Sequence, residues 1–330
     1  MIKMENSSNA AKLKVVGVGG AGGNAINDMI QSEINDVEFI AINTDQQDLD
    51  RSVAEKKVLL GKGMGAGADP EKGRIAAKES EEKIKEVLEG TDMLFITAGM
   101  GGGTGTGASP IVAEIAKSMG ILTVAVVTKP FEFEGALKKN NADAGIENLK
   151  EQVDTLIAIP NDKLFELPNV SITLMTAFKE ANSVLRVGIK GISDLITKQG
   201  FVNLDFADVK AIMQDSGIAM LGFGEGSGDG KAKTATEQAL NSPLLEKSIE
   251  GAQKVLLNIT AGQDIGLHEI REVSETVSQK TGSVGATLIW GVILDPELEG
   301  TIKVSLIATD FKEVKEFLDT KAGKRVVYGI

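Results

Sequence analysis

The chain has 330 residues, which is long for one hydrophobic core and typical of two domains. Its formal net charge is −12, and no stripe of lysines and arginines alternates with aromatic residues, so nucleic-acid binding is not expected. There are no cysteines, which excludes disulfides and zinc–thiolate sites. Because the sequence contains no signal peptide and no long apolar run, we expect a cytoplasmic protein without a membrane span.

Strand-like and helix-like segments alternate through the first half of the chain. Strands are predicted over residues 14–18, 37–42, 57–60, 93–98, 122–127 and 155–159, and helices over 22–32, 72–88, 110–118 and 139–151. This order predicts an α/β fold with a parallel, Rossmann-like sheet covered by helices on both faces. The ligand of such a sheet binds at the carboxyl ends of the strands.

A long amphipathic helix is predicted from Phe178 to Lys198, and the pattern after it is mixed. Strands are predicted over 217–223, 254–260, 286–294 and 301–308, and helices over 234–241 and 264–279. The sequence therefore predicts a smaller C-terminal α+β domain. Its only histidine, His268, is expected at the surface. The glycine-rich segment 222–230 is interpreted as a mobile hairpin turn, because no helix is predicted directly after it.

The segment GMGGGTGTG, residues 99–107, is the most informative part of the sequence. It lies between a predicted buried strand and a predicted helix, so its backbone N–H groups can converge on an anion near the helix N-terminus. We predict a phosphate-binding loop made of Gly101, Gly102, Gly103, Thr104, Gly105, Thr106 and Gly107, with the threonine hydroxyls as further donors. The chain has no GxxxxGK[ST] motif, so this loop is not a P-loop.

A second glycine-rich turn, GVGGAG over residues 17–22, follows the first predicted strand and satisfies GxGxxG. Taken alone it predicts dinucleotide binding, and an NAD-dependent oxidoreductase is one alternative. Two observations count against it. The second predicted strand is followed by Asn43 where a ribose-binding acid is expected, with Asp45 two residues further on. A dinucleotide fold also needs no second phosphate loop.

Both glycine-rich loops resemble those of the tubulin/FtsZ family of GTPases, in the form that its prokaryotic cell-division members carry. The resemblance extends from about residue 13 to about residue 310, and its most specific motifs are GMGGGTGTG and NLDFADV. Together with the patterns above, it implies a GTP-binding domain over 12–177, a central helix over 178–200 and a C-terminal α+β domain over 201–312. We expect a flexible tail over 1–11 and a weakly ordered or peripheral extension over 313–330.

The resemblance also implies which residues bind GTP or GDP. These are Gly19, Gly20, Ala21, Gly22, Gly23 and Asn24 in the first loop, Asn43 and Asp45 on the ribose and cation side, Gly65, Ala66 and Gly67 in a loop that senses the γ-phosphate, Pro130, Glu134 and Lys138 after the fifth strand, and Phe178 and Asn182 at the guanine. Lys138 stands where the family usually has arginine; it keeps the charge and loses the bidentate contact. Mg²⁺ is expected to bind mainly through the phosphates rather than in a cage of side chains, with K⁺ as a further candidate cation.

The motif over residues 203–209 matches the family loop that completes the hydrolytic site. Locally, Asp205 is also predicted to cap a helix that ends at Met213, with Asp208 at its favourable N3 position. If Phe178 contacts the base, the central helix carries the chain about 30 Å away. Asp208, Asp205 and Asn203 could then act only on the nucleotide of a neighbouring subunit, and such a head-to-tail contact builds a filament.

The resemblance therefore implies a GTPase that polymerises head-to-tail into protofilaments of a cell-division ring, with hydrolysis at the interface between subunits. The expected partners are further copies of the chain, membrane adaptors and other division proteins, and the expected location is the cytoplasm at the division site. No segment up to Ile330 resembles the tail with which the family docks adaptors. A regulatory GTP-binding protein that does not polymerise is the other alternative.

Overall fold

The computed structural model describes residues 11–32, 34, 36–166, 173–198, 200–202, 204–245, 248–282, 285–311, 314–319 and 324–329. The chain divides into two compact units, Met1–Asp215 and Ser216–Ile330. The tail expected over residues 1–11 lies, except for residue 11, outside the described residues. In the part of the chain that is described, no helix is long and apolar enough to cross a membrane.

The first unit is built on a parallel sheet. Its strands are β1 (Leu13–Val18), β2 (Val37–Asn43), β3 (Lys56–Leu59), β4 (Met93–Gly99), β5 (Leu122–Lys129) and β6 (Thr155–Pro160). Their order is β3-β2-β1-β4-β5-β6, and every neighbouring pair is parallel. β1 and β4 are apolar along almost their whole length and buried, as expected for strands covered on both faces. The predicted α/β fold class is confirmed.

Eight helices of the first unit are described, together with two short 3₁₀ turns. The helices are α1 (Gly19–Gln31), α2 (Gln46–Arg51), α3 (Pro70–Glu79), α4 (Glu81–Leu88), α5 (Thr104–Ser118), α6 (Ala136–Lys150), α7 (Leu174–Thr197) and α8 (Phe206–Met213), and the turns are Glu132–Glu134 and Asn161–Glu166. The helix predicted over 72–88 is two helices that meet at Ser80. α7 begins four residues before its predicted start, because the Thr173 hydroxyl accepts the Thr176 N–H and caps it.

The second unit is the smaller α+β unit that the sequence predicts. Its elements are β7 (Gly217–Ser227), α9 (Lys231–Leu240), β8 (Ala252–Ala261), α10 (Leu267–Thr281), β9 (Thr287–Leu294), a 3₁₀ turn (Pro296–Leu298) and β10 (Thr301–Phe311). Within this unit the strands follow the order β7-β10-β8-β9; β10 is antiparallel to both neighbours, and β8 and β9 are parallel. His268 is exposed on α10, as predicted.

The extension after residue 312 contains a hairpin, β11 (Val314–Asp319) paired antiparallel with β12 (Lys324–Gly329). One expectation about this unit is wrong. The segment 222–230 is not a hairpin turn, because β7 continues through its first six residues and α9 begins directly after its last. A Cβ at Gly222, Gly224 or Gly226 would overlap a backbone carbonyl oxygen of α9. These glycines alternate because one face of β7 lies directly against that helix.

An ion pair between a buried lysine and a more exposed aspartate joins the start of α9 to the turn before α10. The side chain of Lys231 is 8% exposed, and its ammonium donates to the carboxylate of Asp264. The same carboxylate accepts the backbone N–H of Gly300 at 3.2 Å. These hydrogen bonds, that from Lys231 above all, hold the pKa of the Asp264 carboxyl below its ordinary value of 3.8.

We expect Asp264→Asn to lower the free energy of unfolding at neutral pH, and the deficit to shrink as the solution is acidified. Because the folded-state pKa lies below that of the unfolded chain, the carboxylate stabilises the fold above about pH 4 and loses this effect as the pH falls through the folded value. Urea unfolding of both proteins from pH 7 to pH 3 measures this. Asp229→Asn, at an exposed position, is the control; a deficit independent of pH would contradict the expectation.

Candidate nucleotide-binding site

A cavity of about 550 Å³ lies at the carboxyl ends of the strands of the first unit. Val18, Asn43, Gly99 and Thr128, at or near the ends of β1, β2, β4 and β5, contribute to its lining. This is where a doubly wound sheet binds its ligand, and the volume is typical of small-molecule sites.

Two helix N-termini meet at this cavity. α1 begins at Gly19 and α5 at Thr104, and neither has a side-chain cap. Their first N–H groups have no partner within the helix, and both helix dipoles have their positive ends here. The two loops are in contact, since a Cβ at Gly19 would lie 2.9 Å from the backbone nitrogen of Gly105. Such a pair of N-termini forms an anion-binding site.

Most of the residues predicted to bind nucleotide line this one cavity. They are Gly19, Gly20, Ala21, Asn24, Asn43, Asp45, Gly65, Ala66, Gly67, Gly102, Gly103, Thr104, Gly105, Pro130, Glu134, Lys138, Phe178 and Asn182. Segments far apart in the sequence are thus brought together around one space.

Four predicted glycines, Gly22, Gly23, Gly101 and Gly107, lie outside its lining. A Cβ at Gly22 would overlap the carbonyl oxygen of Thr97 in β4, and one at Gly107 would overlap that of Pro70 in α3. Both glycines allow close packing of helices, which is a different role from the predicted contact with phosphate. Gly23 has open space beside it and lines a smaller cavity next to the main one.

The segment GMGGGTGTG over residues 99–107, called the signature segment from here on, is only partly a loop. α5 begins at Thr104, six residues before its predicted start, and includes the last four residues of GMGGGTGTG. Thr106 is 3% exposed, and its hydroxyl accepts the N–H of Gly101 at 2.8 Å, so it stabilises the turn and does not line the cavity. Gly101 has φ +106°, a conformation that favours glycine, and it too lies outside the lining.

The segment predicted to sense a γ-phosphate, residues 65–67, lies against the signature segment. A Cβ at Gly103 would lie 2.7 Å from the Cβ of Ala66. The N–H of Gly65 donates to the carbonyl of Thr44 at 2.9 Å, and the hydroxyl of Thr44 is 2.6 Å from that of Thr104. Three separate segments are therefore joined beside the N-terminus of α5.

Glu134 and Lys138 interact with each other at the rim. One carboxylate oxygen of Glu134 accepts the N–H of Phe131 at 3.0 Å, and the other accepts the ammonium of Lys138 at 2.8 Å. Glu134 therefore stabilises its own turn and neutralises the lysine in part. Asp45, Asp48 and Glu134 line the cavity as carboxylates, and Lys138 as an ammonium. Across the described residues, no three carboxylate or imidazole side chains are grouped to hold a metal ion.

The ring of Phe178 is held edge-on against another aromatic ring. Phe131 is buried, and its ring centre lies 5.5 Å from that of Phe178 at an interplanar angle of 89°. Phe178 is 43% exposed. Asn182 lies one helical turn further along α7, on the same face. The arrangement presents an aromatic face and an amide to one side of the cavity.

Sequence analysis missed several lining residues, of which Asn161 is the most informative. Its side chain is 5% exposed, and its buried Oδ1 has no hydrogen-bond partner. An unpartnered buried acceptor is costly unless a ligand supplies a donor. A signal was available, because Asn161 lies two residues after the strand predicted over 155–159, at the edge where ligands bind. Thr44 and Asp48, after the second predicted strand, were missed in the same way.

Asp205 and Asp208 do not line the cavity. They form a capping box on α8, in which each carboxylate accepts the backbone N–H of the other residue, at 2.8 and 3.1 Å. α8 follows α7, whose 24 residues span about 36 Å and whose first turns carry Phe178 and Asn182. Asn203, the third predicted catalytic residue, lies outside the described residues.

Comparisons with known proteins agree with this geometry. A family model for the GTPase domain of the tubulin/FtsZ family matches residues 12–169, and one for the C-terminal domain of the FtsZ family matches 217–312. A structure described as an empty FtsZ dimer from M. jannaschii has 50% sequence identity and a TM-score of 0.85, covering 91% of this chain and 88% of that one. A tryptophan-to-tyrosine mutant of FtsZ from M. jannaschii has 49% identity and a TM-score of 0.88, with coverage of 94% and 95%.

A more distant structure shares the fold alone. CetZ2 from Haloferax volcanii, in a protofilament with GTPγS bound, has 22% identity and a TM-score of 0.77, covering 90% of this chain and 92% of that one. The two family models together match most of the chain, and the identity to FtsZ extends over nearly all of it. The chain therefore belongs to the tubulin/FtsZ family of GTPases and, within it, to the FtsZ family.

Proposed function

We propose that this GTPase binds its nucleotide in the cavity of the first unit, polymerises head-to-tail, and hydrolyses GTP at the contact between two subunits. The observation that carries the proposal is the separation of the cavity from Asp205 and Asp208 by the length of α7. The family assignment removes the reason to consider an oxidoreductase. A GTP-binding protein that does not polymerise is the alternative that experiment must exclude.

The phosphates are proposed to bind where α1 and α5 begin. The free N–H groups at these N-termini can donate to phosphate oxygens, and the hydroxyl of Thr104 adds a donor. The carboxylates of Asp45, Asp48 and Glu134 outnumber the single ammonium of Lys138 in the lining. GTP should therefore bind with Mg²⁺, held mainly by the phosphates, and K⁺ is a further candidate for offsetting their charge.

The base is proposed to stack on Phe178 and to be recognised by amides. Asn24, Asn161 and Asn182 line the same cavity, and the buried Oδ1 of Asn161 lacks a donor. The N1–H and exocyclic amine of guanine are donors that could satisfy it. Adenine has no N1–H and no amine at C2, so it would leave buried polar atoms unpaired.

We expect GTP to bind at least about 100-fold more tightly than ATP, because a site built for hydrogen bonds rejects analogues that lack them. Competition of each nucleotide against a fluorescent GTP analogue measures the ratio. Asn161→Ala should reduce that ratio, whereas Asn140→Ala, at an exposed position of α6 outside the lining, should leave it unchanged. ATP competing as well as GTP would contradict this assignment of the base site.

Exposed apolar side chains support the head-to-tail contact. Met64, Phe133 and Leu137, next to segments that line the cavity, are 84%, 59% and 71% exposed. Phe201, shortly before the two aspartates, is 76% exposed. Isolated exposed apolar residues are common, but these occur beside the two regions that the proposal brings together. Relatives whose structures are described as an FtsZ dimer and as a CetZ2 protofilament are further support.

In the proposed reaction, one subunit supplies GTP and the next supplies Asp208 and Asp205. Asp208 is the first choice for orienting the attacking water, with Asp205 and Asn203 assisting. Full removal of a proton is not required, because the phosphoryl-transfer transition state is loose. Bound Mg²⁺ would offset charge on the phosphate oxygens. The free N–H groups of α5 would stabilise the same charge.

The test is GTP turnover per chain as a function of protein concentration, with sedimentation in GTP and in GDP. A shared site predicts that turnover per chain rises steeply with concentration and that GTP produces sedimenting polymer. Turnover independent of concentration, with nucleotide bound and no polymer, would instead identify the non-polymerising alternative. Adaptor and division proteins as partners, and location at the division site, stay predictions from the family.

A further inference from the structure

An ion pair joins α1 to α7 beside the proposed base site. The Nε of Arg186 on α7 donates to a carboxylate oxygen of Asp28 on α1 at 2.9 Å, and the two residues are 158 positions apart in the chain. A second guanidinium nitrogen of Arg186 donates to the hydroxyl of Ser183 at 3.0 Å. Because the guanidinium is planar and rigid, these two hydrogen bonds fix its position between the two helices.

The ion pair lies one helical turn from two amides that line the cavity. Asn24 precedes Asp28 by four residues on α1, and Asn182 precedes Arg186 by four residues on α7. Residues four apart lie on the same face of a helix. The two asparagines line the cavity, whereas the two charged residues lie outside its lining. The ion pair therefore connects the helices directly behind the amides that are proposed to recognise the base.

α1 is held in place by contacts that do not involve α7. The Oδ1 of Asn27 accepts the N–H of Val53 at 2.9 Å and the hydroxyl of Ser52 at 3.2 Å, which ties α1 to the chain after α2. In the first turn of α1, Gly22 packs so closely on β4 that an added Cβ would overlap the carbonyl oxygen of Thr97. With α1 fixed in this way, its ion pair with α7 sets the position of α7 relative to it.

We infer that Arg186 is a positioning residue for base selectivity, an inference that rests on the proposed base site. Its ion pair with Asp28 sets the distance across which Asn24 and Asn182 face the base. Hydrogen bonds weaken steeply when donor and acceptor move apart or out of line, so a small displacement of α7 costs Asn182 its contact with the edge of guanine. The proposed phosphate contacts at the N-termini of α1 and α5 do not depend on α7.

The pair can be removed without unfolding the protein. The side chains of Arg186 and Asp28 are 27% and 41% exposed, and ion pairs at such positions stabilise folded proteins only weakly. Arg186→Met keeps most of the apolar stem and removes the guanidinium, and Asp28→Asn removes only the charge. Lys190→Met is the matched control, because Lys190 lies one turn further along α7 and pairs with Asp194 of the same helix.

The first test is the affinity of each variant for GTP and for ATP, by competition against a fluorescent GTP analogue at protein concentrations below those that form polymer. We expect the ratio of the two affinities to fall by about 3- to 10-fold in Arg186→Met and in Asp28→Asn, the effect of losing about one hydrogen bond to the base. Lys190→Met should keep the wild-type ratio. Equal losses of affinity for both nucleotides, with an unchanged ratio, would show a merely structural role and overturn the inference.

A charge swap is the second test. Asp28→Arg alone places two guanidinium groups together, and Arg186→Asp alone places two carboxylates together, so each should lower the ratio. The double variant restores opposite charges on the two helices and should return the ratio to within about twofold of the wild type, because the two substitutions are coupled. Far-UV circular dichroism checks that each variant folds.

The outcomes separate this inference from the proposed base site. A wild type that prefers GTP, with a double variant no better than the single ones, would overturn the positioning role and leave the base site standing. A wild type that binds ATP as tightly as GTP would contradict the base site itself, and the positioning role with it.

Discussion

Replacement of Asp208 by asparagine is expected to lower GTP turnover by about 100-fold or more while GTP binding by the monomer is unchanged. The residue is separated from the cavity of its own chain by the length of α7, so its loss should not alter that cavity. GTP-dependent polymer should still form and should persist longer, because the nucleotide at the contact is no longer consumed. Initial turnover, equilibrium binding and sedimentation measure the three effects.

The capping box determines the choice of substitution. Asp208 accepts the N–H of Asp205, and asparagine can accept the same hydrogen bond without the charge. Asp208→Ala loses both, so the two variants separate charge from capping. Asp205→Asn should likewise retain the cap, whereas Asp205→Ala should cost about 1 kcal/mol of stability. If Asp208→Asn keeps wild-type turnover and Asp208→Ala unfolds, the residue is only a cap.

Mixing variants tests whether the site is shared. A variant that no longer binds GTP because of a substitution in the nucleotide loop still carries both aspartates. The Asp208→Asn variant still binds GTP. Each alone should be nearly inactive, and the mixture should recover turnover at hybrid contacts. Weakened GTP binding by folded, monomeric Asp208→Asn would contradict a site built from two chains.

Gly105→Ala is expected to weaken GTP binding by about 10- to 100-fold, the effect of losing one hydrogen bond to a charged oxygen. Its Cβ would lie 2.5 Å from the carbonyl oxygen of Gly99 and 3.4 Å from that of Val18. The first turn of α5 must then move away from the ends of β4 and β1. Because the obstacle is backbone, the free energy of unfolding should also fall, by about 1–3 kcal/mol.

Two other glycines separate ligand contact from folding. Gly102 lines the cavity, and an added Cβ there meets no protein atom within 4 Å. Gly102→Ala should therefore weaken GTP binding with unchanged stability. Gly23 also has open space but lies outside the lining, so Gly23→Ala should leave binding unchanged. Isothermal titration and urea unfolding of the three variants test this; normal GTP affinity in Gly102→Ala would mean that the site is misplaced.

The sequence alone determined the fold class and most of the cavity lining. Alternation of apolar strands with amphipathic helices indicates a parallel sheet, and its topology directs every loop that follows a strand to one edge. This places the GMGGGTGTG segment at that edge, whereas Asn43 and Glu134 were assigned to the same site through the resemblance to the tubulin/FtsZ family. The same rule extends to Asn161, which was not predicted although it lies two residues after the strand predicted over 155–159.

Only the tertiary structure decided what each glycine and each cap does. Residues 104–107 and 222–227 look like loops, because glycine disfavours regular structure when propensity alone is considered. In the fold they are the first turn of α5 and part of β7, where close packing leaves no room for a Cβ. Likewise, Gly107 allows α5 to pack closely against α3, and Thr106 stabilises the turn at Gly101. Neither residue lines the cavity. Local sequence carries backbone preference, whereas the space beside a residue depends on elements distant in the chain.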